Sequence, residues 1–378
     1  MSRRPAAYPR PYRRSDDTEL YRTPRRSERG AYRVGAPPRR RRHRWGRTLA
    51  LALLILLIAA AVVGLMVFAR VAAFNDRISS ASAASSRLLA PLGPLPGNDR
   101  VNVAIIGYPG GDYADGTYLA DSINILSINP TFDSTTTIAV PRDLWVEGIE
   151  IVPDAKVNEA HAVGWEESGG DPYAAGDLTA EVLESVTGLE IDGWISLDFS
   201  GFDQIIDAVG GVTIENPIAF HYTDDEERLA ARDWDGEFPA GSLTLNGDDA
   251  LYYVRARYTD VPEESSDFAR SVRQQRVMAA LRGELGNGLT AVRRASALMG
   301  VLDDHLRTNL SAIDLYLLSG HLTSDRRVEL QEDVVIYATT NAIGQYILVV
   351  GGQAFYGDYA PLHDYLREAL RDPAKRAP

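Results

Sequence analysis

Two arginines, Arg255 and Arg257, stand two apart in the run Leu251-Tyr-Tyr-Val-Arg-Ala-Arg-Tyr-Thr259. A short loop later comes Ser266-Asp-Phe-Ala-Arg-Ser-Val-Arg-Gln-Gln-Arg-Val-Met-Ala-Ala-Leu281, in which Asp267, Arg270 and Gln274 recur at i, i+3 and i+7. That spacing puts an acid, a guanidinium and an amide on one face of a helix. Guanidinium groups gathered in this way suit phosphate or pyrophosphate, because each planar fork meets two oxygens at once. An acid beside them suits the orienting or deprotonation of a hydroxyl. By pattern alone, the same residues also describe an exposed strand face followed by a solvated helix.

These side chains need elements to hold them. The first run is aromatic and β-branched with period 2, which predicts a strand carrying Arg255 and Arg257 on one face. For the second, Ser266 is placed to cap a helix with Asp267 in its first turn. Phe268, Val272 and Ala279 form the apolar stripe that would seat that helix on a core. Upstream, strands are predicted at Val101–Ile106, Ser122–Ile128, Thr135–Val140, Trp194–Phe199 and Val212–Glu215, with helices at Asp177–Val186 and Phe202–Val209. Strands and helices interleaved like this predict an α/β fold with a mixed or mainly parallel sheet. Residues 290–372 add a helix, a strand at Gln345–Val350 and a final helix at Ala360–Leu370. Gly110-Gly111 reads as a turn, since no Lys-Ser/Thr or spaced glycine pattern follows. The tyrosines 252, 253 and 258 read as sheet packing, and His161, His221, His305, His321 and His363 show no metal-ligand spacing.

The chain of 378 residues allows about two domains, and 45% hydrophobic content is ordinary for a folded protein. The formal net charge of −13 is unevenly spread. Residues 1–47 hold about 16 arginines and about 4 acids, so the rest is strongly acidic. Cysteine is absent, which excludes a disulfide framework and thiolate metal sites. Residues 1–47 lack apolar periodicity and read as a disordered basic tail. Residues 48–69 form an apolar run without charge, about 20 residues, long enough for a transmembrane helix. The basic residues before it predict a cytoplasmic N-terminus and an extracytoplasmic main domain in the cell membrane. The Arg39–Arg42 run is then a topology signal that attracts anionic lipid, and nucleic acid is not an expected partner. Residues 70–98 begin Ala-rich, end in Pro and Gly, and read as a stalk or linker.

The stretches YVRARY and DFARSVRQQ together resemble the R-x-R…D-F-G-R-x-x-R-Q-Q signature of the LytR-CpsA-Psr family, with Ala269 in place of the usual Gly. SINILSINP, TTTIAVPRDLWV, KVNEAHAVGW, GLEIDGWISLDFSGFDQIIDAVGGVTIENP and LTLNGDDALYYVRARY follow the family's order and spacing, so the resemblance covers roughly 99–285, with 286–378 a C-terminal continuation. It implies a three-layer αβα-type α/β domain with a central mixed β-sheet, preceded by one transmembrane helix. It further implies a phosphotransferase that moves a glycopolymer from a polyprenyl-pyrophosphate carrier onto peptidoglycan. On that resemblance Arg142, Arg255, Arg257 and Arg270 bind pyrophosphate, Gln274 helps place it, and Asp267 serves the acceptor hydroxyl. A divalent metal, usually Mg2+, belongs to the family site; Asp121 matches one metal-binding aspartate. The other is absent, Gly107-Tyr108-Pro109 standing where the family has G-x-D, and Leu119 replaces a common arginine. Asp112 or Asp115 are candidate substitutes. Lys156 and Asn158 match a segment near the substrate. An apolar groove is also implied, with Ile205, Ile206, Val209, Val182 and Leu183 as candidate lining. Alternatives are a non-catalytic lipid-pyrophosphate binder, a regulatory protein of the cell envelope, and a pyrophosphatase using the same site.

Overall fold

The computed structural model describes residues 45–80, 100–111, 118–129, 134–223, 234–285, 298–311, 314–315, 318, 326–330, 333–351 and 357–371. Within these, the side chains of 45–57, Asp267, Phe268 and a few others are outside the description. The expectations for the basic tail, most of the stalk, Asp112, Asp115 and His321 therefore lie outside the described residues. Contacts divide the chain into Met1–Ala60 and Ala61–Pro378, and the fold below is that of the second unit.

Helix α1 is Trp45–Ile78. Among the described residues, no helix is long and apolar enough to cross a membrane. The last turns of α1, expected as the start of a stalk, are packed on the domain. Phe74 and Ile78 are buried with Leu306, Arg77 pairs with Asp303 at 3.2 Å, and the Tyr173 hydroxyl donates to the Arg77 carbonyl at 2.9 Å.

Strands β1 (Val101–Tyr108), β2 (Ser122–Asn129) and β3 (Ser134–Val140) form an antiparallel meander. After a small β4–β5 pair (Trp145–Val146, Ala155–Lys156) come α2 (Glu159–Glu167) and α3 (Pro172–Thr187). Asp171 caps α3 by accepting from Tyr173 N, Pro172 fits its first turn, and Gly188 ends it at φ 67°. The chain then returns as β6 (Gly193–Asp198), parallel to β1. Next are α4 (Phe199–Ala208), β7 (Val212–Asn216), the β8–β9 pair (Phe220–His221, Glu237–Phe238), β10 (Gly241–Leu245), α5 (Gly247–Arg255) and α6 (Asp267–Leu285). The C-terminal region supplies β11 (Leu306–Thr308), β12 (Arg326–Glu329), β13 (Ile336–Thr340), β14 (Tyr346–Val350) and α7 (Ala360–Ala369).

The main sheet runs β11-β6-β1-β2-β3-β12 and is mixed: β6 and β12 lie parallel to their neighbours β1 and β3, the other pairs antiparallel. The fold is thus α/β, a mixed sheet with flanking helices. Both of its outer strands follow residue 286, so the C-terminal continuation completes the sheet that carries the site.

Alternation gives the sheet two unlike faces. Ala104, Ile106, Ile125, Ile138 and Trp194 pack against Val182, Leu183 and Val186 of α3 and Leu362 and Leu366 of α7 in one closed core. That face leaves no slack: a Cβ on Gly176 would lie 2.4 Å from the Trp194 ring. On the other face Val101, Val103, Leu126 and Ile128 are buried with Leu310 and Leu318, while rows nearer the end of β1 open into a cavity.

Candidate functional site

The cavity, about 770 Å³, has the sheet as floor and α5 and α6 opposite. Its floor carries Ile105 and Gly107 of β1, Ser122, Asn124 and Leu126 of β2, Thr137 of β3, Leu197 of β6 and Arg327 of β12. Across from them stand Leu251, Val254, Arg255, Val272 and Met278. Arg142, Arg257, Arg270, Gln274 and Asp121 line the same space, so all the predicted site residues converge there except Asp267, whose side chain is outside the described residues.

The route to that convergence differs from the expectation in three places. Leu251–Arg255 is the end of helix α5, not a strand. Asn246 caps it by accepting from Asp249 N, Asp248 and Asp249 sit in its first turn, and Ala250, Leu251, Tyr253 and Val254 bury at helical spacing. Gly247 admits the helix against α4, since a Cβ there would lie 2.1 Å from the Asp203 carbonyl. Arg255 and Arg257 share the cavity because the chain leaves the helix between them, at Ala256 with φ −49° and ψ 124°. Period 2 of β-branched and aromatic residues misled here, since a short helix under strong tertiary packing hides its own periodicity. Tyr252 and Tyr253 accordingly pack in a helical core, and Tyr258 is exposed.

The second difference concerns how α6 is seated. Ser266 caps it, accepting from Ala269 N at 3.1 Å, and Arg270 and Gln274 share a face as expected. Its buried stripe, however, is Ala269, Arg273, Val277 and Leu281, while Val272 and Ala279 line the cavity. Arg273 is fully buried. Its Nε donates to the Tyr253 carbonyl (3.0 Å), Nη1 to the carbonyl and carboxylate of Glu264 (3.0 and 2.5 Å), and Nη2 to the Ala256 carbonyl. One guanidinium therefore holds the backbone on both sides of Arg255 and fixes the turn Pro262–Glu264. Sequence reasoning missed this positioning residue. Its signal was a second arginine three residues after Arg270 on the face that also carries Ala269 and Val277.

Third, the apolar lining includes Ile105, Leu126, Leu197, Phe199, Phe202, Leu251, Val254 and Met278. Val182 and Leu183 belong to the closed core on the opposite face, and Ile206 and Val209, with Ile205 against them, to the core beneath α4 and α5. An apolar residue on an α/β helix is legible as buried, but which of two faces it meets is not.

Arg142 follows β3 and Asp121 precedes β2, and the pairing of Ile123 with Val140 makes them neighbours. Arg142 Nη1 donates to Asp121 Oδ1 at 2.6 Å. Arg142 Nε lies 3.6 Å from Asp143 Oδ2, and Asp143 Oδ1 accepts from Lys156 Nζ at 2.6 Å, so Lys156 serves this ion network. Backbone bonds brace it: Asp121 N to Gly107 O (2.8 Å), Ala120 N to Asn158 O (3.0 Å) and Asn158 N to Arg142 O (3.3 Å). The Arg255 guanidinium sits 4.6 Å from the centre of the Phe199 ring, a cation–π contact that fixes its direction. Two further arginines, Arg276 and Arg327, also line the cavity. Asp198 caps α4 through Gly201 N (2.7 Å) and meets His305 Nδ1 at 3.0 Å. His161 lies beneath the floor between the Tyr118 carbonyl (2.7 Å) and Ser196 Oγ (3.0 Å), and burial lowers its pKa to about 4.

Such a cavity can hold a polyanionic headgroup at its arginine end and an apolar tail along its wall. A resident divalent ion fits it poorly. The carboxylates among the lining residues are Asp121 and Asp198, both already engaged by a cation or a histidine, and Pro109 offers no ligand. Among the described residues, the group of three donors near enough to hold one ion is His221, Asp235 and Glu237, outside the cavity lining, with His221 Nδ1 bound to Asp260 Oδ2 at 2.9 Å.

A mixed-sheet α/β domain with an arginine-lined cavity defines the class. The LytR_cpsA_psr family model matches residues 71–354, and the chain belongs to the LytR-CpsA-Psr family. Among its relatives, the polyisoprenyl-teichoic acid–peptidoglycan teichoic acid transferase TagU of Oceanobacillus iheyensis is 29% identical over 255 residues, 66% of this chain and 72% of the relative. The TagU of Bacillus licheniformis is 26% identical over 236 residues, 62% of this chain and 68% of the relative. Among solved structures, Bacillus subtilis TagV is similar with TM-score 0.52 and 20% identity, covering 74% of this chain and 99% of that one. TagT bound to LIIa-WTA is similar with TM-score 0.51 and 21% identity, covering 77% and 97%. These likenesses establish the fold.

Proposed function

We propose that this chain is a phosphotransferase that attaches a glycopolymer from a polyprenyl-pyrophosphate carrier to peptidoglycan. The observation that carries this reading is the joining, in one cavity, of Arg142, Arg255, Arg257 and Arg270 with an apolar wall. The names of its relatives, teichoic acid–peptidoglycan transferases, point the same way.

In this reading the acceptor hydroxyl oxygen attacks the phosphorus that bears the glycopolymer. The bond from that phosphorus to the bridging oxygen breaks, and polyprenyl phosphate leaves with the bridging oxygen. Fixed guanidinium groups stabilise the charge that grows on the leaving phosphate. Arg142 is oriented by Asp121, Arg255 by Phe199, and both flanks of Arg255 by Arg273. Gln274 lies one helical turn beyond Arg270 and places a phosphate oxygen. Asp267 is the assigned base for the acceptor proton, one turn before Arg270 on the same helix. The wall of Leu126, Leu251, Val254 and Met278 takes the isoprenoid.

The substrate is a membrane lipid, and the apolar run 48–69, most of whose side chains lie outside the described residues, is the proposed single span, with the basic N-terminus cytoplasmic and the domain outside. Supporting this, Leu65, Met66 and Val67 are 68%, 66% and 58% exposed, which suits contact with lipid.

The test is release of polyprenyl phosphate from a synthetic polyprenyl-pyrophosphate oligosaccharide by the full chain in detergent, with a peptidoglycan fragment as acceptor. Transfer is expected, and Arg142→Ala should lower it by about 10²–10³-fold. Arg142 is 30% exposed and pairs with Asp121 and Asp143, so the same change should also cost about 1–3 kcal/mol of stability, read separately by thermal unfolding. Lipid binding without transfer would establish instead the non-catalytic reading that Pro109 favours, and release without an acceptor would indicate a pyrophosphatase.

A further inference from the structure

We infer that Arg142, clamped to Asp121, takes the place of a divalent ion in this site, and that diphosphate transfer by this chain needs no metal. The inference rests on the transferase reading above, and it concerns how that site balances charge.

Asp121 is the residue that a metal would use, and its Oδ1 is 2.6 Å from Arg142 Nη1. An ion bound there must displace a charge-assisted bond or share the carboxylate with a cation. The second carboxylate on the lining, Asp198, is no better placed. Its Oδ1 accepts from Gly201 N at the start of α4, and both of its oxygens lie 3.0 Å from His305 Nδ1. The backbone that bonds Asp121 from the neighbouring strand is Gly107, followed by Tyr108 and Pro109. Pro109 brings no carboxylate, and Tyr108 packs against Tyr118 and His161 rather than lining the cavity.

The surroundings also oppose a cation. Six arginines and two aspartates line the cavity. Mg2+ binds through one or two carboxylates plus water and substrate phosphates, and depends on their negative charge outweighing nearby cations. Here the guanidinium groups already supply what the ion would supply to a diphosphate, fixed positive charge at the oxygens where charge grows. Arg142 Nε makes no hydrogen bond but lies 3.6 Å from Asp143 Oδ2, so this one cation meets two carboxylates, Asp121 and Asp143.

Two readouts on the full chain test this. The first is Mn2+ binding by electron paramagnetic resonance, compared between the wild type and Asp121→Asn. Equal binding, including none, is expected; a loss of bound Mn2+ in Asp121→Asn would overturn the inference. The second readout is transfer in excess chelator, which should stay within about 2-fold of the rate with Mg2+, a small change beside the roughly 10²–10³-fold carried by one oriented charge. Transfer abolished by chelator and restored by Mg2+ would also overturn it. If no transfer occurs under any condition, the transferase reading fails, and the Mn2+ comparison still decides where the carboxylate's charge is met.

Discussion

The two faces of the main sheet are made by the same strands, yet one is solid and the other hollow. On the α3 side, Ile106, Ile125, Ile138 and Trp194 are fully buried among α3 and α7 side chains. On the α5–α6 side, Ile105, Asn124 and Leu197 border a cavity of about 770 Å³. The difference lies in what the helices present. Helix α3 offers Val182, Leu183 and Val186, which fill space at no electrostatic cost. Helices α5 and α6 offer Arg255, Arg270 and Gln274. Closing guanidinium groups off from water costs far more than leaving a water-accessible hollow, so the helices stand off the sheet. The void is thus a consequence of the cations around it. Where an arginine is buried in the same region, as Arg273 is, it has an acid and three carbonyls as partners.

That contrast between the fully buried Arg273 and the arginines lining the cavity predicts the largest effect. Arg273→Ala leaves Glu264 buried without its cation and should cost about 3–5 kcal/mol in denaturant unfolding. Arg273→Met combined with Glu264→Leu should recover much of the loss, because it removes both charges. A single-variant loss below about 1 kcal/mol would mean that the corner is held by something else.

The solid face also carries a pH sensitivity. His161 is lowered from 6.5 to about 4 by burial. Between those values the unfolded chain binds a proton that the folded chain refuses, so stability falls as pH falls through that window and is unaffected above it. The maximum loss is about 3 kcal/mol. His161→Gln should flatten the urea-midpoint profile between pH 6.5 and pH 4; an unchanged slope would assign the acid sensitivity to other groups.

The smallest pair of effects compares the faces directly. Gly176→Ala forces a methyl into the Trp194 ring and should cost about 1–3 kcal/mol. Asn124→Leu, on the hollow side, should stay within about 0.5 kcal/mol in thermal unfolding. If the two costs were equal, the two faces would be equally packed in solution.

Much of this was legible along the chain. Strands β1, β2, β3 and β6 showed as apolar runs between turn signals, and the cap Ser266 stood where a side-chain oxygen meets exposed helix N–H groups, whereas α3 begins at Pro172, five residues before the expected Asp177. Arg255, Arg257 and Arg270 were legible as a cluster by type and spacing and Arg142 by resemblance to the family, whereas Arg276 and Arg327 were missed. Three features were not legible. Helix α5 reads as a strand because five of its nine residues are apolar or aromatic in sequence, and only packing on α4 reveals which period holds. Arg273 looks like its neighbour Arg270, and only burial distinguishes the structural cation from the cavity one. The outer strands β11 and β12 are three and four residues long, too short for a periodic signal, and exist because β6 and β3 offer them backbone partners.

By itself, then, the sequence determined the family, the α/β class and the identity of the groups able to meet a diphosphate, since residue type and local spacing carry that chemistry. Only the tertiary structure decided which face of the sheet stays hollow, which arginine is buried to hold the others, and that Asp121 meets Arg142. Those are contacts between residues far apart in the chain, set by strand register and helix packing, and neither is written in any local window.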